Sequence, residues 1–102
     1  MDHINTVTPE EVRKLLEEDD GTVVVDVRED DEVAQGMIEN AKHIPLENIP
    51  HSTDKFDENS HYILVCRSGR RSLMAASFLE EHGFNVSNME GGMLNWDGEV
   101  TA

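Results

Sequence analysis

Two stretches of the chain, Thr22-Val23-Val24-Val25-Asp26 and His61-Tyr62-Ile63-Leu64-Val65, are apolar almost without interruption and rich in β-branched side chains. A strand with one wet face alternates apolar and polar residues, because successive side chains point to opposite faces of the sheet. Continuous runs therefore predict strands covered on both sides, the situation of parallel strands joined by helices. The rest of the pattern supplies those helices. Thr8 as cap, Pro9 in the first turn and Glu11 three residues after the cap compose a capping box, and Val12, Leu15 and Leu16 form an apolar stripe, so a helix is predicted to about Glu18. Asp30 to Gln35 predicts a short helix stopped by Gly36, and Lys42-His43-Ile44 a short strand ended by Pro45. Glu47 to Ser60 reads as irregular connection with one helical turn. Ser72 to His82 predicts a helix closed by Gly83, and Phe84 to Met89 the last strand. A Gly91-Gly92 turn then leads into a short terminal helix carrying Leu94 and Trp96. The alternation predicts a small α/β domain with a mainly parallel sheet and helices on both faces, and 102 residues suit one such domain.

Charge narrows the function. Asp and Glu number 22 against 8 Lys and Arg, a formal charge of -14, which repels phosphate backbones and anionic lipid; neither nucleic acid nor a membrane is an expected partner. A single cysteine cannot close an internal disulfide, and Met1 to Asn5 show neither the basic nor the apolar region of a signal peptide, so a cytoplasmic setting is expected. His3, His43, His51, His61 and His82 have no zinc-type spacing, and no metal or other cofactor is expected.

The segment with chemical content is Val65-Cys66-Arg67-Ser68-Gly69-Arg70-Arg71-Ser72, between a buried strand and a helix start, the edge at which open α/β sheets bind ligands. Three of the chain's eight cationic residues stand here beside its only cysteine. A helix N-terminus offers unpaired N–H groups, and guanidinium groups favour thiolate over thiol, so a lowered Cys66 pKa is predicted. Gly69 lets the backbone curl so that successive N–H groups converge on one anionic atom. The plainer reading, a small buried hydrophobe beside solvating arginines, leaves the combination of thiol, glycine and three arginines unexplained.

Several segments in order resemble the rhodanese homology domain. They are Val25-Asp26-Val27-Arg28-Glu29; Gly36 with Ala41 and His43-Ile44-Pro45; the cysteine segment with Ala75-Ala76 and Leu79; and Gly83-Phe84 with Glu90-Gly91-Gly92 and Trp96. The resemblance covers nearly the whole chain and implies one rhodanese domain over residues 1–102, with a five-stranded parallel sheet flanked by helices. It implies a thiosulfate sulfurtransferase in which Cys66 is the nucleophile and persulfide carrier. Sulfane sulfur would come from thiosulfate or a persulfide donor and pass to cyanide or a thiol, a protein thiol included. The loop from Arg67 to Arg71 would cradle the outer sulfur with backbone N–H groups and the Ser68 hydroxyl. Arg67, Arg70 and Arg71 are candidates for the sulfonate end of thiosulfate. Asp26, Arg28 and Ser72 are read as supporting residues, and the domain as a monomer. Met37 departs from a common family pattern, which has His after the glycine corresponding to Gly36.

Two other functions compete. A cysteine-dependent phosphatase or arsenate reductase would need Arg at position 72, with five residues between it and the thiol, where Ser72 stands; Arg71 closes the loop too early. A non-enzymatic persulfide carrier or interaction module would keep the same cysteine loop, and a basic mouth in an acidic surface would still select its partner.

Overall fold

The computed structural model describes residues 4–101. Five strands form one parallel sheet: β1 (Asn5–Val7), β2 (Val23–Asp26), β4 (Lys42–His43), β5 (His61–Val65) and β6 (Asn85–Met89), in the spatial order β1-β6-β5-β2-β4. A separate antiparallel pair joins β3 (Met37–Ile38) to β7 (Val100–Thr101). Helix α1 (Pro9–Glu18) covers one face of the main sheet, and α3 (Arg70–Glu81) the other; α2 (Asp30–Val33) is a single turn.

The two apolar runs are sandwiched as expected. Val25, Tyr62 and Leu64 join Ala75, Ala76 and Leu79 of α3 in one core, while Val24, Ile63 and Val65 join Val12, Leu15 and Leu16 of α1 in the other. Helix α1 begins with the predicted reciprocal cap: the Glu11 amide donates to Thr8 Oγ1 at 3.1 Å and the Thr8 amide donates to Glu11 Oε1 at 2.8 Å. In the register of β2 and β5, Asp26 stands beside Val65, so the loops that follow these strands leave the same sheet edge together. That edge carries Cys66.

Four features differ from the sequence expectation. Strand β1 had no signal, because Asn5-Thr6-Val7 is short and half polar and its partner lies at Ser87 to Met89. The β3–β7 pair was likewise unforeseen. Helix α3 starts at Arg70 rather than Ser72, which places Arg70 and Arg71 on the helix. The connection before β5 holds two 3₁₀ turns, Leu46–His51 and Thr53–Lys55, and the terminal helix is a 3₁₀ turn, Gly92–Asn95. No helix among the described residues is long and apolar enough to cross a membrane.

Candidate active site

Cys66 follows β5 directly, and the chain turns back through Gly69, whose φ of +104° suits glycine, into α3. This turn brings two amides and a hydroxyl to one sulfur. The Gly69 amide donates to Cys66 Sγ at 3.1 Å, the Ser72 amide at 3.4 Å, and Ser72 Oγ lies 3.3 Å from Sγ. Gly69 and Ser72 occupy the cap and third position of α3, whose amides have no partner within the helix. Burial pushes the Cys66 thiol up, but hydrogen bonds to the ionised sulfur from the Ser72 hydroxyl and from the Ser72, Gly69 and Ser68 amides hold it below the ordinary cysteine value. The lowering comes from hydrogen bonding, so of the two causes the sequence suggests, helix N-terminal amides and guanidinium groups, the amides carry it together with the Ser72 hydroxyl. Cys66 is also 0 % exposed, not open at a mouth: the resting loop folds its amides onto Sγ itself.

The predicted loop residues divide by environment. Arg71 is committed to Glu32 of α2 through a two-pronged bond, Nη1 to Oε1 at 2.7 Å and Nη2 to Oε2 at 2.8 Å. Arg67 and Arg70 are exposed and, among the described residues, have no carboxylate partner. Ser68 is exposed; the hydroxyl at the sulfur is that of Ser72 rather than of Ser68, whose amide favours the ionised sulfur. Arg71 holds the Glu32 carboxyl at about 2, well below an ordinary glutamate. A carboxyl that ionises more easily folded than unfolded stabilises the fold above its unfolded pKa and loses that contribution as pH falls. Glu32→Gln is therefore expected to cost on the order of 1 kcal/mol at neutral pH. In urea titrations the gap between the two proteins should close as pH falls from about 4.5, the reference glutamate value, toward about 2.

Beneath the loop, Asp26 and Arg28 form a buried pair in which Arg28 Nε donates to Asp26 Oδ1 at 3.0 Å and Nη2 to Oδ2 at 2.8 Å. Arg28 Nη2 also donates to the Gly36 carbonyl at 2.8 Å, tying the loop after β2 to the segment before β3. His43 donates from Nε2 to the Arg28 carbonyl at 2.8 Å, so it braces the same loop. His61 Nε2 lies 2.7 Å from Ser87 Oγ, His82 Nδ1 lies 2.8 Å from the Phe78 carbonyl, and His3 lies outside the described residues.

Three contributors escaped the sequence reading of the site. Glu32 pairs with Arg71 across a long separation in the chain. Asn88 on β6 donates from Nδ2 to the Gly69 carbonyl at 3.1 Å and accepts from Ser72 Oγ at 2.5 Å. Gly92 supports the loop from below: the Met93 amide donates to the Cys66 carbonyl at 2.8 Å and the Leu94 amide to the Arg67 carbonyl at 3.0 Å. A Cβ on Gly92 would lie 2.5 Å from both carbonyl oxygens, so only glycine permits this approach. The Gly91-Gly92 dipeptide was visible as a turn, without any sign of what it approached.

Comparison with known proteins identifies the family and the fold. The family model for the rhodanese-like domain matches residues 8–99. A Bacillus subtilis (strain 168) protein named "Putative sulfurtransferase YtwF" is 41% identical over 97 residues, covering 95% of this chain and 94% of the relative. Thiosulfate sulfurtransferase GlpE of Pseudomonas fluorescens (strain SBW25) is 33% identical over 97 residues, covering 94% of this chain and 87% of its own. The crystal structure of a rhodanese-like domain protein from Staphylococcus aureus superposes with a TM-score of 0.91 at 38% identity, covering 96% of this chain and 97% of that one.

Proposed function

This chain belongs to the rhodanese-like domain family, and on that footing we propose that it is a sulfurtransferase in which Cys66 carries sulfane sulfur as a persulfide. The observation that carries the reading is the convergence of the Gly69 and Ser72 amides and the Ser72 hydroxyl on the chain's only thiol. Groups arranged in this way make Cys66 ionise more readily than an ordinary cysteine, the direction a nucleophilic thiol needs.

With thiosulfate as donor, the Cys66 thiolate attacks the outer sulfur. The bond between the two donor sulfurs breaks, its electron pair leaves on sulfite, and Cys66 keeps the transferred atom. Cyanide or a thiolate then attacks the terminal sulfur, leaving as thiocyanate or a new persulfide and returning Cys66 as thiolate. Because Sγ is buried at rest, entry of the donor requires the loop around it to open. The same amides then surround the added sulfur.

Incubation with thiosulfate and weighing of the intact protein tests the reading. Gain of one sulfur atom that cyanide removes supports it; hydrolysis of a phosphate ester without sulfur uptake moves the assignment to a phosphatase. Uptake from a persulfide with none from thiosulfate leaves a carrier.

Arg67 and Arg70 are the loop guanidinium groups without a carboxylate partner among the described residues, and they are the ones to meet the sulfonate. Arg67→Ala and Arg70→Ala are each expected to raise KM for thiosulfate about tenfold, the worth of one charge-assisted bond, with a smaller change in kcat. Transfer from a donor without a sulfonate, such as an alkyl persulfide, should change less. Equal losses with both donors would count against a sulfonate-binding role.

A further inference from the structure

Ser72 and Asn88 approach Cys66 from two elements, the first turn of α3 and the strand β6, and both are buried. The direction of each hydrogen bond between them follows from what the atoms can do. Asn88 Nδ2 donates to the Gly69 carbonyl, which can only accept, so the amide is oriented with Oδ1 toward Ser72. Oδ1 also can only accept. The Ser72 hydroxyl therefore donates to it, at 2.5 Å. A hydroxyl has one proton, and with that proton on Asn88 the 3.3 Å contact between Ser72 Oγ and Cys66 Sγ is made by the S–H of the neutral thiol. At rest the proton direction runs from Cys66 to Ser72 to Asn88.

Ionisation reverses what Ser72 is asked to do. As the Cys66 proton leaves to solvent, the sulfur becomes an acceptor, and Ser72 serves it only by withdrawing its proton from Asn88. Oδ1 is then buried without a donor, an arrangement that opposes the change. We propose that Asn88 is a positioning residue that sets how readily Cys66 ionises, by competing with the thiolate for the single Ser72 proton. Through Nδ2 it also steadies Gly69, whose amide donates to Sγ. Asn88 thus builds the cradle and withholds one of its donors.

The charged groups around the thiol are Arg67 on the loop, Arg70 and Arg71 on α3, Glu32 on α2 bound to Arg71, the Asp26–Arg28 pair beside β5, and Glu90 after β6. Replacing the neutral Asn88 changes none of them. The inference rests on the sulfurtransferase reading for its bearing on turnover, while the proton competition concerns the thiol alone.

Thiolate absorbance in the ultraviolet, followed against pH, reports one group here because the chain has one cysteine. It does not require reagent access to the buried sulfur. Asn88→Ala is expected to move the midpoint to lower pH by about one unit, the equivalent of one redirected hydrogen bond. The acid limb of kcat/KM should move with it. In a Ser72→Ala background the same substitution should no longer lower the midpoint, since only the support of Gly69 is then lost. A midpoint that stays or rises in Asn88→Ala, or an equal fall with and without Ser72, overturns the proposal. Should the variant fold poorly, the unmodified protein decides: the carbon resonance of the Asn88 side-chain carbonyl is expected to titrate with the Cys66 midpoint, and a resonance indifferent to that titration overturns the proposal. Sulfur uptake is scored separately by mass. A shifted midpoint without uptake sinks the transfer reading and leaves the competition standing; uptake with an unshifted midpoint does the reverse.

Discussion

Cys66→Ser is expected to abolish sulfur uptake, with no mass gain from thiosulfate and a transfer rate lower by about a thousandfold or more. The chain has no second thiol to take over. An alcohol at neutral pH is almost wholly protonated, and its oxygen is a poor nucleophile toward sulfur. The fold should survive the change, because a serine Oγ accepts from the same Gly69 and Ser72 amides and the volume lost is small. A melting temperature within about 5 °C of the parent would separate lost chemistry from lost structure. Sulfur uptake retained by the variant would show that the atom is carried elsewhere and would end the proposed mechanism.

Asp26→Ala is expected to act on stability, by about 3 to 5 kcal/mol. Asp26 is 0 % exposed and Arg28 7 %, and removal of the carboxylate leaves a buried guanidinium whose remaining partner among the described residues is the Gly36 carbonyl. Domains of this size are stable by about 5 to 15 kcal/mol, so such a loss lowers the melting temperature by roughly 15 °C or more. The penalty comes mainly from the charge left behind. Asp26→Ala combined with Arg28→Met should therefore recover a large part of the loss, as read from urea unfolding. No recovery would show that the pair matters through the shape of the loop after β2 rather than through charge balance. Transfer activity of the double variant then tells whether that loop, which His43 also holds, must keep its form for Cys66 to work.

Local chemistry made much of this protein legible in advance. Thr8, Pro9 and Glu11 specify a helix start within four residues, and the valine run at β2 requires cover on both faces wherever it lies in space. The Cys66 segment was readable for the same reason: its amides, glycine and guanidinium groups are neighbours along the chain. Strand β1 was not readable, since Asn5-Thr6-Val7 becomes a strand through pairing with Ser87 to Met89. The roles of Glu32, Asn88 and Gly92 were hidden in the same way, each being an ordinary residue until the fold brings it to the loop.

From residue order alone came the layered parallel sheet, the helices on its two faces and the cysteine loop on which the proposed mechanism rests, because capping, side-chain alternation and loop chemistry act over a few residues. Folding in three dimensions decided the rest: that Arg71 is bound to Glu32, that Sγ rests covered by its own amides, and that Asn88 holds the Ser72 proton. Those outcomes depend on which groups meet across the sheet and on how many protons each can give, and contacts between distant parts of a chain leave no local signature.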